Sequence, residues 1–380
     1  MEPNQKYFTE PLPFYGPGRD DPDPPGLKTL RVGLLAPSPE SSDAFRGAMM
    51  RRSVEMAIAE ANASAKPGEL PFALVVREDS PLWGSAANIL VDLAYTDECL
   101  AVVGSIDSSA THVALRVALK AEIFMVNTGS CDQTVTETAI PWLLRTWPDD
   151  RQNGYRLAEL VVKERGHRRI AMLRTNDRNG RVGVKTFVDS VRRLGHPVLQ
   201  EMRFLPGAKS FETQVARIVA AEPDAVVLWG EPEDAGRAAA ALRKAGVTVP
   251  LYGPERLFGP AFLAAAGEAA EGMTITYPFD PTRTDEAWTG FVERFRKRYA
   301  TVPEAFAAYA YDGTRILLGA IRTAGPNRFR IRDAVAAVRR YEGVTGTLVF
   351  DPTFNNLTPL RIARVKGNTF EFEKATVGAK

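Results

Sequence analysis

Short apolar runs alternate with longer amphipathic segments along the chain from Leu30 onward. Leu30–Ala36 is an apolar run ended by Pro37, which is typical of a buried strand, whereas Arg46–Ala65 carries apolar residues at helical spacing. The alternation continues as strand, helix, strand, helix and strand over Phe72–Val76, Ser85–Tyr95, Leu100–Gly104, Ala110–Leu119 and Ile123–Val126. Short strands that alternate with helices predict a parallel, doubly wound sheet.

The same rhythm starts again farther along the chain. Helices are predicted over Asp149–Arg165, Val182–Leu194, Phe211–Ala221 and Pro232–Ala245, and strands over Arg169–Arg174, Val198–Phe204, Ala225–Trp229 and Val249–Tyr252. Two α/β sheets in succession predict two similar lobes. The remainder is predicted to be helical over Asp285–Tyr299, Pro303–Ala324 and Ile331–Arg340, and to end in strands near Gly346–Phe350 and Leu360–Val365.

The first 27 residues differ from the rest in their proline content. Prolines fix φ and remove backbone donors, which excludes a long helix or a central strand here. The prolines are Pro3, Pro11, Pro13, Pro17, Pro22, Pro24 and Pro25. Phe8, Phe14 and Tyr15 could hold such an arm against the globular body, and a disordered leader is the equally weighted alternative.

Chain length, composition and net charge limit the classes of protein to which the chain can belong. A chain of 380 residues predicts two or three domains, and 45% hydrophobic with 25% charged residues is the balance of a soluble globular protein. A net charge of +2 does not favour nucleic acid or an anionic membrane. The opening Met-Glu-Pro-Asn-Gln lacks the basic start and apolar region of a signal peptide, which leaves a cytoplasmic protein or a replaced signal as the alternatives.

Common enzyme motifs are absent from the sequence. It has no glycine-rich nucleotide loop, no nucleophile elbow and no zinc or C-x-x-C pattern, and its three histidines match no metal spacing. These absences argue against nucleotide-dependent and common hydrolytic enzymes, so we expect no catalytic residue, no metal and no cofactor. Cys99 and Cys131 fall at opposite ends of predicted strands and are expected to be free thiols.

Polar residues follow two strands of the first predicted sheet, at the carboxyl ends where open α/β sheets bind ligands. Ser108 and Ser109 stand at a predicted helix start, where hydroxyl and N–H groups can hold a carboxylate; a simple N-cap is the alternative. Gly129, Ser130 and Cys131 follow the next strand. Gly129 would let the backbone approach a ligand closely, and an ordinary loop is the alternative.

Acidic residues take these positions in the second lobe. Glu231 follows a strand that ends at Trp229, and Glu255 follows the next strand, each before a predicted helix. A carboxylate at such a position can pair with an ammonium group through charge-assisted hydrogen bonds. Glu233 and Asp234 fall in the first turn of the helix, where they favour the helix dipole, so we assign them a structural role.

Several ordered motifs together resemble a known family. They are Leu30-Arg31-Val32-Gly33-Leu34-Leu35-Ala36-Pro37, Ser108-Ser109-Ala110-Thr111, Leu144-Arg145-Thr146, Pro223-Asp224-Ala225-Val226, Tyr252-Gly253-Pro254-Glu255, Ala270-Glu271-Gly272, Tyr311-Asp312 and Gly343-Val344-Thr345-Gly346. In this order and spacing, over about residues 29–366, the chain resembles type I periplasmic binding proteins, specifically the leucine/isoleucine/valine-binding branch of ABC transporter substrate-binding proteins.

The resemblance implies a domain organisation. It predicts two doubly wound, Rossmann-like lobes joined by three crossovers, near Arg145–Pro148, Thr274–Tyr277 and Thr345–Phe350. Lobe 1 would comprise residues 29–146 and 277–345, and lobe 2 residues 147–276 and 346–380. Residues 1–28 would form the Pro-rich N-terminal arm.

The resemblance also implies a ligand site. In amino-acid binders of this branch, a serine after the third strand and a threonine after the fourth hold the ligand carboxylate, and an acid in the Gly-Pro-Glu turn holds the ammonium group. Ser109 and Glu255 match by position, Cys131 stands where the threonine is expected, and Glu231 falls about where a tyrosine is frequent. The full expected set is Phe45, Trp83, Ser108, Ser109, Gly129, Ser130, Cys131, Trp229, Glu231 and Glu255, with Phe45 and Trp83 at the cleft mouth.

The function implied is that of an extracytoplasmic or periplasmic solute-binding receptor. It would close on a small ligand, an amino acid or a related amine-bearing compound, and act as a monomer that presents this ligand to the membrane permease of an ABC transporter. Two alternatives stay open. One is a ligand-sensing regulatory protein of the same fold, and the other is an enzyme that uses Glu231 and Glu255 as acid and base.

Overall fold

The computed structural model describes residue 14, residues 16–80, residue 82 and residues 84–374 of the chain. They form two compact units, and the chain passes from one unit to the other three times. Unit 1 comprises the described residues up to Pro148 together with Arg283–Thr358, and unit 2 comprises Asp149–Thr282 together with the described residues from Pro359 onward.

The first segment of unit 1 is a regular strand–helix repeat. Its elements are β1 (Leu30–Ala36), α1 (Ala44–Ala63), β2 (Phe72–Glu78), α2 (Ser85–Val91), β3 (Ala101–Gly104), α3 (Ser108–Ala121), β4 (Phe124–Asn127), α4 (Thr134–Glu137) and β5 (Leu143–Arg145). The strands pair in the order β2-β1-β3-β4-β5, and every pair is parallel. The carboxyl ends of these five strands therefore share one edge of the sheet.

Unit 2 repeats this arrangement. Its first segment contains α5 (Asp150–Ala158), β6 (Ile170–Thr175), α6 (Arg178–Arg193), β7 (Gln200–Phe204), α7 (Glu212–Ala220), β8 (Ala225–Trp229), α8 (Pro232–Lys244), β9 (Leu251–Gly253), α9 (Pro260–Ala266) and β10 (Thr274–Tyr277). Along β8, Val226 and Leu228 pack into one core cluster and Val227 and Trp229 into another. Because successive side chains point to opposite faces, this sheet is covered by apolar layers on both sides.

The last part of the chain completes both units. Unit 1 gains α10 (Glu286–Tyr299), α11 (Ala305–Ala324), α12 (Arg328–Ala336), β11 (Arg340–Gly343) and β12 (Gly346–Val349), and unit 2 gains β13 (Arg361–Lys366) and β14 (Thr369–Phe372). The sheet of unit 2 has the order β14-β13-β10-β9-β8-β6-β7, with β13 and β14 antiparallel to their neighbours. Among the described residues, no helix combines the length and apolar character that a membrane span requires. The fold is thus the predicted one, two doubly wound α/β units joined by three crossovers.

The crossovers lie farther along the chain than predicted. The first and second fall at 148/149 and 282/283, and the third falls at 358/359 rather than after residue 345. Residues 346–358 belong to unit 1, where the Arg145 Nε donates to the Asn355 Oδ1 at 2.8 Å and the Asn356 Nδ2 donates to the Thr146 carbonyl at 2.6 Å. Tyr277 belongs to unit 2, because it pairs with Arg361 in the sheet. Hydrogen bonds made by asparagine side chains do not change the spacing of apolar residues, so the sequence pattern could not show that residues 346–358 belong to unit 1.

The predicted helix Ile331–Arg340 is wrong at its C-terminal end. Helix α12 ends at Ala336, and Arg340 begins a strand that pairs with Val349 of β12. The turn of this hairpin is held by Asp312, whose carboxylate accepts hydrogen bonds from the backbone N–H groups of Val344 and Thr345, both at 2.9 Å. A tertiary contact therefore overrides the local helical pattern.

Candidate functional site

The start of α3 in unit 1 presents two serines that do not cap the helix. Asp107 is the N-cap, and its Oδ1 accepts a hydrogen bond from the Ala110 N–H at 2.6 Å. Ser108 and Ser109 are the first two residues of the helix. The N-cap alternative for these serines is therefore wrong. Their hydroxyls stand at the positive end of a helix of 14 residues, an environment that favours an anion.

Asn127 joins the loops that follow β3 and β4. Its Nδ2 donates to the Ser105 carbonyl at 2.8 Å and to the Thr111 hydroxyl at 3.1 Å, while its Oδ1 accepts from the Ser130 N–H at 3.0 Å. The Ser130 hydroxyl in turn donates to the Ser108 hydroxyl at 2.9 Å. The structure thus brings Ser108 and Ser130 together. The sequence analysis did not include Asn127 in the site, although a polar residue at the end of an apolar strand indicates a side chain that contacts the neighbouring loops or a ligand.

Gly129 is explained by packing within unit 1. A Cβ at this position would lie 2.8 Å from the Ile106 Cγ1 and 3.0 Å from the Phe306 ring. Protein side chains therefore fill the space where the sequence predicted that a ligand would approach. Cys131, two residues later, is buried and forms no disulfide.

Ser109 lines a cavity of about 500 Å³ in unit 1. Residues from the loops after β1, β2 and β3 contribute polar groups to its wall, among them Ser38, Glu40, Asp43, Asp79, Ser80 and Asp107. Asp43 forms an ion pair with Arg46 at 2.7 Å. Since these strands are parallel neighbours, their carboxyl ends bring the polar groups to one edge of the sheet.

Of the two aromatic residues predicted for the cleft mouth, Phe45 and Trp83, the structure describes only Phe45. Phe45, at the start of α1, has 59% of its surface exposed. It is therefore available for contact, but it does not line the cavity that contains Ser109. Trp83 lies outside the described residues.

At the end of β8 in unit 2, Trp229 belongs to the core. It is 0% exposed, and its indole Nε1 donates to the Asn179 Oδ1 at 3.4 Å. A Cβ on Gly183 would lie only 2.6 Å from that nitrogen, so helix α6 packs directly against the indole. The observed role of Trp229 is to hold α6 against the sheet.

Glu231 has a partner inside unit 2. Its Oε1 accepts from the Arg256 guanidinium, at 2.9 Å from Nη2 and 3.1 Å from Nε. The Arg256 side chain is only 8% exposed. Sequence reasoning did not single out Arg256, which follows Glu255 directly. The predicted ammonium partner thus has its negative charge balanced by a neighbouring guanidinium.

Glu255 lies beside a second carboxylate. It begins a short 3-10 helix after β9 and is 3% exposed. Asp150, the first residue of α5, is 2% exposed, and carboxylate oxygens of the two side chains lie within 4.8 Å of each other. Like charges this close repel, and a cation bound near them relieves the repulsion. The sequence analysis did not include Asp150 in the site, because it interpreted Asp149 and Asp150 only as the start of a helix.

Comparisons with known proteins identify the family of the chain. The sequence profile of the periplasmic binding protein family matches residues 29–369. A Leu/Ile/Val-binding protein homologue of Brucella abortus is 26% identical over 326 residues, which cover 85% of this chain and 86% of that protein.

Solved structures share the fold. The branched-chain amino acid substrate-binding protein LivJ of Streptococcus pneumoniae, in complex with isoleucine, superposes with a TM-score of 0.82 at 23% identity and covers 90% of this chain and 98% of its own. A solute-binding protein of R. palustris in complex with benzoate superposes with a TM-score of 0.80 at 20% identity, covering 90% and 95%. With its two α/β units and a profile match over residues 29–369, the chain belongs to the periplasmic binding protein family, a family of substrate-binding proteins that are not enzymes.

Proposed function

We propose that this protein is an extracytoplasmic receptor that binds an amino acid or a related amine-bearing solute and delivers it to an ABC transporter permease. The observation that carries the proposal is the Asp150–Glu255 pair, two carboxylates within 4.8 Å of each other and each nearly buried. An ammonium group is the ligand feature that such a pair favours most, because it donates up to three hydrogen bonds and neutralises the repulsion.

The carboxylate of the same solute is assigned to unit 1. Supporting groups are the hydroxyls of Ser108, Ser109 and Ser130 together with the N–H groups at the start of α3. Unit 1 would therefore supply hydroxyl and amide donors for a carboxylate, and unit 2 would supply carboxylates for an ammonium group. This division matches the two charges of a zwitterionic amino acid.

The fold by itself does not select the ligand. Neighbours with nearly equal TM-scores were solved with isoleucine in one case and with benzoate, which has no amine, in the other. The acidic pair of unit 2 favours the amine-bearing class for this chain.

A thermal-shift and calorimetric screen tests the proposal. The panel pairs each amine-bearing solute with its deaminated analogue, for example an amino acid with the corresponding carboxylic acid, and adds benzoate and polyamines. A true ligand at 100 times its Kd raises the free energy of unfolding by about 2.7 kcal/mol. We expect the deaminated analogue to bind at least about 30-fold more weakly. Equal stabilisation by benzoate-type acids would refute the amine-bearing class.

A further inference from the structure

The N-terminal arm contacts unit 1 through the ring of Phe14. Phe8 and Tyr15, the other aromatic residues predicted to hold the arm, lie outside the described residues. The Phe14 ring packs edge-on against Trp142, with centroids 5.1 Å apart, and stacks on Phe329 at 5.9 Å. The guanidinium groups of two arginines lie 4.8 and 4.6 Å from its centroid; they belong to Arg19 and Arg332. Rings and cations on several sides confine the Phe14 side chain.

Polar contacts fix the register of the arm. Arg19 forms an ion pair with Asp333, in which its Nη2 lies 3.1 Å from the Oδ1 and its Nε also bonds the carboxylate. The Asn327 Nδ2 donates to the Gly18 carbonyl at 2.8 Å and to the Asp21 carbonyl at 3.3 Å. Asn327 is also the N-cap of α12. One amide therefore caps the helix and binds the backbone of the arm.

Two glycines of the arm fit closely against α12. A Cβ on Gly16 would lie 2.7 Å from the Phe329 ring, and a Cβ on Gly18 would lie 2.1 Å from it. No real Cβ atom tolerates such separations without a shift of its neighbours. The segment therefore matches its binding surface at four positions, which are Phe14, Gly16, Gly18 and Arg19.

The surface that receives the segment is formed by Trp142, Asn327, Phe329, Arg332 and Asp333, and is named here the arm groove. Trp142 directly precedes β5. In the same helix, Arg328 donates to the carbonyls of Cys99 and Ala121, which come shortly before β3 and β4. The arm groove thus lies at the amino ends of the unit 1 strands, at the edge opposite Ser108 and Ser130, and it is separate from the proposed ligand site.

We propose that the arm groove is a peptide-binding site, occupied here by Phe14 and residues 16–23 of the same chain, that recognises the pattern Phe-x-Gly-x-Gly-Arg. The short connection from Asp23 to β1 keeps the segment at high effective concentration, so that an external peptide competes poorly while the arm is attached. Release of the arm opens the groove to the same segment of a second copy of this chain.

The test uses the full chain, folded before any cut. A protease site is inserted at the exposed turn around Gly26 and cleaved after purification. A labelled peptide of residues 14–24 is then titrated by fluorescence anisotropy. We expect saturable binding to the cleaved protein, and at least about tenfold weaker binding to the uncleaved protein, in which the attached arm competes.

Peptide variants give the specificity. Gly18→Ala and Arg19→Ala should each weaken binding by about tenfold or more, because the first removes the fit against Phe329 and the second removes the ion pair with Asp333. Asp20→Ala is the matched control, since Asp20 is exposed, and its peptide should bind like the parent. Absence of binding to the cleaved protein, or equal binding by the Gly18→Ala peptide, would overturn the proposal.

A second measurement avoids cleavage. In the uncut chain, Gly18→Ala should speed amide hydrogen exchange in residues 327–336, whereas Asp20→Ala should leave that exchange unchanged. Unchanged exchange in the Gly18→Ala chain would also overturn the proposal. Neither readout involves the proposed solute, so the two proposals can fail separately.

Discussion

The two units place different chemistry at the carboxyl ends of their strands. Unit 1 offers hydroxyl and amide groups that bond to each other, with Ser130 donating to Ser108 and Asn127 bridging two loops. Unit 2 offers charged groups with little exposure, two carboxylates close together and a carboxylate paired with Arg256. Hydroxyls rotate to suit different acceptors, whereas a charge of low exposure needs a partner of opposite sign. Under the proposed function, unit 1 would bind the ligand carboxylate with adaptable donors, and unit 2 would select the charge of the ligand.

Within unit 2, Glu231 and Glu255 show that an equivalent position in sequence does not fix a role. Each follows a parallel strand of the same sheet. Glu231 pairs with the Arg256 guanidinium, whereas Glu255 lies beside the carboxylate of Asp150. The observed neighbours therefore differ in charge, a guanidinium beside Glu231 and a carboxylate beside Glu255. We therefore expect the first acid to contribute to stability and the second to binding.

Replacement of Glu255 by glutamine should have the largest effect. Glu255→Gln keeps the shape and removes the charge, which leaves the ligand ammonium poorly paired, and should cost about 2–5 kcal/mol, or roughly 30- to 4,000-fold in Kd measured by calorimetry. Glu231→Gln, the matched variant, should lower the urea midpoint of unfolding and change Kd less than about fivefold. If both variants bind the ligand like the parent, the assignment of charge selection to unit 2 fails.

A pH titration should show how unit 1 accommodates a buried carboxylate. Burial raises the pKa of Asp312 to about 6, against hydrogen bonds from Thr345 and Val344 that lower it. Since the folded pKa lies above the model-peptide value of 3.8, the Asp312 contribution to stability is complete below about pH 4 and lost as the pH rises through about 6. The loss is at most about 3 kcal/mol.

The measurement is the free energy of unfolding in urea from pH 4 to 7.5, for the parent and for Asp312→Asn. The asparagine variant should be less stable at every pH, because an amide cannot accept from both N–H groups and the Thr345 hydroxyl. Its curve should lack the decline between pH 4 and 6. An identical decline in both proteins would assign the titration to another group.

Truncation of a unit 1 hydroxyl should have the smallest effect. Ser109→Ala removes one donor to the ligand carboxylate while the helix N–H groups remain, so affinity should fall by about 1 kcal/mol, roughly fivefold. Ser42→Ala is a suitable control, because Ser42 lines the same cavity from another loop. A loss for Ser109→Ala as large as that for Glu255→Gln would reverse the comparison between the units.

The pattern of apolar and polar residues along the chain predicts the two α/β sheets and places the candidate residues at strand ends. Apolar runs of strand length between amphipathic helices predict parallel sheets, and parallel strands align their carboxyl ends, so Ser108, Ser130 and Glu255 were found at strand ends from local pattern alone. Helix starts were predicted less well, since α3 and α6 begin at Ser108 and Arg178 rather than at the predicted Ala110 and Val182. Asp107 and Asp149 cap α3 and α5 through contacts that span only three residues.

Which of these residues lie in contact depends on the tertiary structure. The proximity of Asp150 to Glu255, the pairing of Arg256 with Glu231 and the packing of Ile106 against Gly129 join segments whose contact depends on strand order and helix placement. The third crossover lies at 358/359 rather than after residue 345, because the Asn355 and Asn356 side chains form hydrogen bonds with Arg145 and Thr146 at the end of β5. Hydrophobic period is a local property of the chain, whereas side-chain pairing depends on distances set by the whole fold.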